Sequence, residues 1–225
     1  MSSMVETAPI PNAAPAPPGF DRLDDTRVAA GAAELARIDP DLAGILERHG
    51  PPPLWSRPPG FETLVAIILE QQVSLASGAA ALARLRGAAG AVRPEQVAHL
   101  GEDRARGAGL TRQKARYIVA LAEAVRTGEV DLDGLVEAND DDVRAALIAR
   151  PGIGRWTADI YLVMGLLRSD VWPDGDLALA TSMRRAKRLE ALPSAADQRA
   201  IAEPWRPWRA VAARQLWQAY LAGER

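Results

Sequence analysis

Apolar residues recur three and four positions apart along most of the chain, which is the spacing of helices that bury one face. No window alternates convincingly between apolar and polar residues, as a half-buried strand would. Short groups of proline and glycine separate the periodic segments, and none is long enough to be a flexible interdomain linker. Helices are predicted over residues 27–38, 40–48, 61–86, 112–126, 140–149, 155–167, 177–189, 195–203 and 208–221. The pattern therefore predicts an all-α fold.

Composition adds the class of protein. The chain has 225 residues, of which 48% are hydrophobic, so it can bury a core of its own. It contains no apolar run of membrane-spanning length and no secretory signal pattern. Residues 1–20 are rich in alanine and proline and carry one charge, Glu6, which predicts a disordered tail ahead of a fold that begins near Asp21. These features favour a cytoplasmic protein.

Cysteine is absent, which excludes disulfides, cysteine zinc sites and iron–sulfur clusters. The two histidines, His49 and His99, lie far apart in sequence and lack the spacing of metal ligands. We therefore expect no cofactor and no metal bound by side chains.

One segment combines two predicted helices with a glycine turn. Asn139 begins the first helix, Pro151 and Gly152 end it, and helical periodicity resumes at Arg155. Backbone N–H groups at a helix start, in a loop without β-carbons, can bind a phosphate whatever base it carries. A plain connector between packed helices is the alternative, and Arg150 and Arg155 beside the turn favour phosphate.

This segment and three others resemble a known family. The sequence Pro-Gly-Ile-Gly-Arg-Trp-Thr-Ala at 151–158 and Asp-Val-Trp-Pro-Asp-Gly-Asp-Leu at 170–177 are similar to the helix-hairpin-helix DNA glycosylase superfamily, in its 3-methyladenine DNA glycosylase II branch. Residues 61–74 resemble the first core helix of that family, and residues 205–217 resemble its last. The resemblance covers roughly residues 55–222. It does not decide whether the backbone carbonyls of the hairpin bind a monovalent cation.

The resemblance implies a catalytic carboxylate. From the residues alone, Asp176 reads as the cap of a third helix. Its context, Pro-Asp-Gly-Asp-Leu at 173–177, resembles the catalytic motif of the family and implies that Asp176 stabilises positive charge on the sugar as the base departs. Asp174 is the second candidate, and Asp159 and Asp170 are expected to serve structure.

Trp156 bears on the type of reaction. Superfamily members that also cut the DNA strand carry a lysine at this position, whose amine forms a Schiff base with the sugar. Tryptophan cannot do this, and the chain has only two lysines, Lys114 and Lys187. The resemblance therefore implies a monofunctional glycosylase that leaves an abasic site.

The same resemblance implies a base pocket. Trp156 and Trp217 match aromatic positions of the pocket for alkylated bases, where electron-rich ring faces favour cationic purines. Ile160 occupies a position at which certain relatives have tyrosine, and Tyr161 follows it, so the base selectivity stays open. The alternative for the two tryptophans is packing in the core.

Gln72 lies in Gln-Gln-Val-Ser at 71–74, where relatives place the residue that fills the gap left by an extruded nucleotide. The alternative is a structural role, in which the glutamine side chain is hydrogen-bonded within the protein at a kink of the helix.

The formal net charge is −2, so DNA contacts must come from local patches. Two basic clusters are present, one at Arg112, Lys114 and Arg116 and one at Arg184, Arg185, Lys187 and Arg188; either could be a solvated helix face. The second cluster follows Asp176 and is the better candidate for the DNA backbone. The implied DNA-binding residues are Pro151, Gly152, Ile153, Gly154, Arg155, Thr157, Gln72, Arg184 and Arg185.

By the resemblance, residues 75–175 form a helical barrel lobe that contains the hairpin at 140–167, and residues 21–74 with 176–225 form a second lobe. The expected substrate is double-stranded DNA with alkylated purines, 3-methyladenine above all and 7-methylguanine next, and the expected state is a monomer, nucleoid-associated if the source is bacterial. Alternatives are a non-catalytic module that binds distorted or abasic DNA, a glycosylase for deaminated bases, and a helical protein-interaction domain.

Overall fold

The computed structural model describes residues 22–223 of the chain. Within that range it is helical, and its strand-type pairing is limited to one antiparallel bridge between Arg22 and Arg168, which confirms the all-α prediction. The predicted tail at residues 1–20 lies outside the described residues. The helices are α1 (Asp25–Ile38), α2 (Pro40–His49), α3 (Phe61–Glu70), α4 (Leu75–Ala89), α5 (Pro94–Gly107), α6 (Arg112–Arg126), α7 (Asp140–Ile148), α8 (Arg155–Ile160), α9 (Leu177–Ala186), α10 (Ala195–Ala202) and α11 (Arg209–Leu221).

Side-chain caps set several helix starts. The Asp39 carboxylate accepts hydrogen bonds from two N–H groups at the start of α2, and the Asn139 side chain accepts from the N–H groups of Asp141 and Asp142. Each cap satisfies backbone donors that have no acceptor within the helix. The start predicted at Asn139 is thus confirmed.

The single helix predicted over residues 61–86 is wrong. The structure has two helices there, α3 and α4, separated at residues 71–74. Gln72 adopts a left-handed backbone conformation with φ of 57°, and Ser74 caps α4 by accepting from the Ser77 N–H. The apolar spacing continues across the break without proline or glycine, so periodicity alone did not show it.

Helix α5 was not predicted. It begins with Pro94 at its first turn, and it buries Val97, Leu100 and Ala105. Gly101 inside it has φ of 73° and kinks the helix. The kink changes the direction of the buried face, which hides the regular apolar spacing in the sequence.

Helix α8 is shorter than the predicted 155–167. It ends at Ile160, and a π-helical segment, Tyr161–Gly165, follows directly. The amide of Leu166 then donates to the Tyr161 carbonyl. A π segment keeps side chains near helical spacing, so the sequence reads as one continuous helix.

The helices pack in two groups. In the first group, α1, α2 and α11 contact one another and α9 packs against α11. In the second group, α3, α4, α5 and α6 pack in a ring of neighbours, α8 packs against α3, and α7 packs against α8. Helix α3, which the sequence analysis placed in the lobe formed by both chain ends, packs against α4, α6 and α8. The active-site candidates lie on segments from both groups.

Lys187 holds α9 against α2. Its amine donates to both oxygens of Asp39 at 2.6 Å and to Asp41 at 3.0 Å, and the Trp205 indole donates to Asp39 at 2.7 Å. Burial alone would raise the pKa of Asp39. The hydrogen bonds from Lys187 and Trp205 lower that pKa by more than burial raises it, so it lies below its ordinary value. Lys187 belongs to the basic cluster predicted to contact DNA, but its amine is bound by Asp39 and Asp41 of the protein itself.

We expect Lys187→Met to reduce the free energy of unfolding by about 2 kcal/mol near pH 7, where Asp39 is ionised in both states. A carboxyl whose folded pKa is lowered stabilises the fold above its unfolded pKa of about 3.9, and this contribution is lost as the pH falls through the folded pKa. The difference in the free energy of unfolding between wild type and variant should therefore shrink as the pH falls from about 7 to about 3. Urea unfolding at both pH values measures it. Arg184→Met, on the exposed face of the same helix, is the control, and an equal loss at both pH values would contradict this assignment.

Candidate active site

The hairpin between α7 and α8 is a tight turn built on glycine. Gly152 has φ of 83°, and the Ile153 amide donates to the Arg150 carbonyl at 3.2 Å. A β-carbon on Gly152 would lie 2.1 Å from Cδ2 of Tyr117, whereas one on Gly154 would meet nothing within 4 Å. The turn thus packs its first glycine against α6 and leaves its second open to approach from outside.

The arginines beside the hairpin are paired with acids. The Arg150 guanidinium donates to Glu129, and that of Arg155 lies 3.1 Å from Asp174 and 3.6 Å from Asp159. Their expected role beside a phosphate would require these ion pairs to open. What the hairpin offers to an anion directly is the backbone N–H groups in the first turn of α8.

Asp176 caps α9 and accepts from two tryptophans. Its Oδ1 accepts from the Leu179 amide at 2.9 Å and from the Trp217 indole at 3.3 Å, and its Oδ2 accepts from the Trp156 indole at 3.0 Å. The three donors come from α9, α11 and α8, so the carboxylate is held where the two groups of helices meet. It is partly exposed.

The other three aspartates of this region have guanidinium partners. Asp159 is fully buried and accepts from Arg144 at 2.7 Å, while Asp174 accepts from Arg199 at 2.7 Å in addition to its contact with Arg155. Burial raises the pKa of Asp159 above its ordinary value, and the contacts with Arg144 offset only part of that rise. Asp170 is bound by Arg206 and Arg209.

Asp176 differs from these three aspartates in the charge of its partners. In the described part of the chain its partners are neutral N–H donors, so its negative charge is not cancelled by a cation of the protein. A carboxylate in that state can stabilise a cation that arrives from outside.

Trp156 and Trp217 both contact Asp176 through the N–H groups of their indole rings. Trp156 is half-buried and Trp217 is 8% exposed. Their N–H groups orient Asp176, a role that the sequence analysis did not predict. No local signal could have shown it, because the contacts join residues 20 and 41 positions apart.

Several predicted site residues have buried side chains. Ile153, Thr157 and Ile160 are almost fully buried, and Tyr161 is fully buried. The Tyr161 hydroxyl accepts from the Gly60 amide at 2.9 Å, which places its ring in the core against the start of α3. Among the predicted residues whose side chains are exposed are Pro151, Arg155, Gln72, Arg184 and Arg185.

The loop between α3 and α4 carries the predicted wedge. Gln72 is exposed at its tip, whereas the Gln71 side chain turns inward and donates to the Gly152 carbonyl at 3.0 Å and to the Thr157 hydroxyl at 2.9 Å. The Lys114 amine donates to the carbonyls of Leu69 at 2.7 Å and Gln71 at 2.9 Å. Gln72 is a predicted site residue, whereas the inward contacts of Gln71 were not predicted.

A cavity of about 690 Å³ lies beside Asp174. Its walls are mostly the arginines and acids of the ion pairs described above. Asp176, Trp156 and Trp217 do not line it. A base that reaches Asp176 would therefore not enter through this cavity.

Residues 65–207 match the model of the family described as HhH-GPD superfamily base excision DNA repair protein. The chain belongs to this superfamily. The hairpin and the segment that carries Asp176 both fall within the matched residues.

Curated relatives carry names from DNA repair. The chain is 26% identical over 186 residues to the putative DNA-3-methyladenine glycosylase YfjP of Bacillus subtilis, covering 79% of this chain and 65% of that protein. It is 30% identical to the probable bifunctional transcriptional activator/DNA repair enzyme AlkA of Mycobacterium tuberculosis, over 87% of this chain and 44% of that protein. For DNA-3-methyladenine glycosylase 2 of Escherichia coli the identity is 28%, over 77% of this chain and 64% of that protein. The chain thus spans about two thirds of the length of these relatives or less.

Solved structures of the superfamily share the fold. The structure of Schizosaccharomyces pombe 3-methyladenine DNA glycosylase (Mag1) with abasic DNA superposes with a TM-score of 0.74 at 22% identity, over 84% of this chain and 96% of that one. The DNA-3-methyladenine glycosidase of Bacillus halodurans gives a TM-score of 0.73 at 28% identity, over 91% and 94% of the two chains. The helix-hairpin-helix glycosylase fold is therefore confirmed.

Two further features concern residues 22–223. Their helices are all too short or too polar to cross a membrane. Their acidic and histidine side chains form no group of three or more that could hold a metal ion.

For base release, the activity proposed below, we expect Trp156→Phe to give a rate about 10-fold lower, because the change removes one hydrogen bond to the Asp176 carboxylate and keeps an aromatic face. Trp217→Phe should have a smaller effect, since its hydrogen bond is longer and Oδ1 keeps the Leu179 amide. Single-turnover release from methylated duplex DNA measures both. Unchanged release by Trp156→Phe, with its fold intact, would show that the indole N–H does not orient the carboxylate.

Proposed function

We propose that the chain is a monofunctional DNA glycosylase that releases alkylated purines from double-stranded DNA and leaves abasic sites. The observation that carries this proposal is the Asp176 carboxylate, which two indole N–H groups and a helix start hold in place and which no cation of the described chain neutralises. Membership of a base excision repair superfamily and the names of the relatives support it.

The reaction needs little more than such a carboxylate. The bond between C1′ and the base nitrogen breaks with its electron pair leaving on the base, and positive charge builds on the sugar. Asp176 stabilises that charge, a water oxygen bonds to C1′, and the water proton passes to the carboxylate or the solvent. The product is the free base and an abasic sugar.

The substrate class follows from the leaving group. A purine alkylated at N3 or N7 carries a positive charge and departs as a neutral molecule, so it needs no strong general acid. The groups around Asp176 supply hydrogen bonds from tryptophan and backbone, and a neutral base would demand a proton donor in addition. We infer a preference for 3-methyladenine, then 7-methylguanine, over deaminated bases.

Strand cleavage is not expected. The amine of Lys114 is bound by two backbone carbonyls, and that of Lys187 is bound by Asp39 and Asp41. Neither lysine is hydrogen-bonded near Asp176, so a Schiff base with the sugar has no evident nucleophile.

The partner is duplex DNA, approached by a monomer, since one site acts on one extruded nucleotide. The hairpin amides would bind a backbone phosphate, Gln72 would enter the gap, and Arg184 and Arg185 would contact further phosphates.

The experiment is a panel of duplexes that contain 3-methyladenine, 7-methylguanine, hypoxanthine, uracil or 8-oxoguanine, with released bases identified by chromatography and strands examined before and after alkali. We expect release of the methylated purines, with strands that break only after alkali. Release of uracil at an equal rate would overturn the substrate class, and strand breakage without alkali would overturn the monofunctional reaction. Salt-dependent DNA binding without release of any base would favour a non-catalytic module.

A further inference from the structure

Gln72 is held in a conformation that non-glycine residues seldom adopt. Its φ of 57° lies in the left-handed region, between the end of α3 and the start of α4. Such a residue is strained, and it persists only where its surroundings fix the backbone on both sides. The described contacts of the loop show what fixes it.

Lys114 fixes the backbone before Gln72. Its amine donates to the carbonyl of Leu69, in the last turn of α3, and to that of Gln71, the residue that follows α3. Carbonyls at a helix end lack an N–H donor within the helix. The lysine itself belongs to the first turn of α6, where the helix dipole disfavours a cation. Burial also lowers the pKa of its amine. The Lys114 ammonium thus contacts α3 although both its place at a helix start and its burial disfavour a positive charge there.

Gln71 joins the same loop to the hairpin. Its amide bridges the Gly152 carbonyl and the Thr157 hydroxyl, one on the turn and one on α8. Trp156, adjacent to Thr157, donates to Asp176. An unbroken series of hydrogen bonds and one peptide bond therefore leads from Lys114 through Gln71 to the carboxylate.

Resting on the proposed function, we propose that Gln71 and Lys114 are positioning residues that hold Gln72 in register with the hairpin and Asp176. A phosphate bound at the hairpin fixes the strand, and Gln72 must then enter the duplex at the nucleotide whose sugar faces Asp176. A small displacement between these points costs far more in rate than in binding. The two residues act on extrusion, without touching the base or the sugar.

The test is single-turnover release of 3-methyladenine from two duplexes, one with thymine opposite the lesion and one with an abasic analogue opposite it. The second duplex needs less work to extrude the base. We expect Lys114→Met and Gln71→Ala each to slow release about 10-fold on the first duplex and by less than about 3-fold on the second. Arg126→Met removes a charge from the last turn of the same helix, where the side chain is exposed and paired with Glu123, and should match wild type on both.

The other outcomes are equally decisive. Equal losses on both duplexes would overturn the positioning role, as would wild-type rates in both variants; two variants on separate segments guard against one that fails to fold. If wild-type protein releases no base, the proposed function fails on its own. In that case the fluorescence of 2-aminopurine beside a tetrahydrofuran abasic site, which rises on unstacking, still decides: a smaller rise with the variants supports the positioning role, and an equal rise overturns it.

Discussion

In the proposed reaction we expect Asp176→Asn to slow base release by a factor on the order of 10²–10⁴, the range for loss of a catalytic acid or base, and to leave binding of the duplex intact. The neutral side chain cannot stabilise positive charge on the sugar. It can still cap α9 through its oxygen, because that atom accepts from Leu179 in the wild type. Its NH₂ group would face the Trp156 indole N–H, so one hydrogen bond is also lost. Single-turnover rates and the affinity for an abasic duplex measure the two effects separately.

Asp174→Asn is the matched control, since it makes the same chemical change two residues earlier. Asp174 is buried and paired with Arg155 and Arg199, whose side chains are about half exposed, so its negative charge is already neutralised within the protein. We expect its rate to stay within about 3-fold of wild type. If Asp174→Asn lost activity and Asp176→Asn kept it, the catalytic carboxylate would be the earlier one.

Arg214→Ala lowers the free energy of unfolding by about 3–5 kcal/mol. Arg214 is fully buried, and its guanidinium donates to the carbonyls of Leu54 at 2.8 Å, Ala210 at 3.0 Å and Val163 at 2.7 Å. Burial lowers its pKa to about 10. Truncation leaves a cavity and takes the donors from buried carbonyls of three segments. Urea unfolding followed by tryptophan fluorescence gives the value.

The control for this loss is Arg126→Ala, which removes an exposed arginine paired with Glu123 on α6. Its cost should be below about 1 kcal/mol. A loss of that small size for Arg214→Ala would mean that water satisfies the vacated carbonyls, and that the arginine does not tie α11 to the π segment.

Prediction from sequence succeeded where the physics is local. Asn139 begins α7 as its capping chemistry indicates, and Gly152 takes the positive φ that its place in the turn requires. The motif that carries Asp176 also placed that residue correctly at the start of α9. Each of these features depends on a few adjacent residues.

The misses depend on contacts between distant residues. At the break beside Gln72, the Lys114 amine donates to the Gln71 carbonyl from more than 40 positions away, and the local signal is limited to the serine that caps α4, Ser74. Lys187 looked like a DNA contact because its partners, Asp39 and Asp41, come almost 150 positions earlier. Tyr161 is a predicted pocket residue whose side chain is fully buried, and its hydroxyl accepts from the amide of Gly60, a contact across about 100 positions that the sequence does not indicate.

The central claim is that Asp176 stabilises positive charge on the sugar, and the most direct measurement is a pair of affinities. Duplexes that carry either a cationic pyrrolidine or a neutral tetrahydrofuran in place of the target nucleotide differ chiefly in that charge. We predict that wild-type protein binds the cationic duplex at least about 10-fold more tightly than the neutral one, and that Asp176→Asn binds both alike. Equal affinities for wild type, or a preference that survives in Asp176→Asn, would contradict the account.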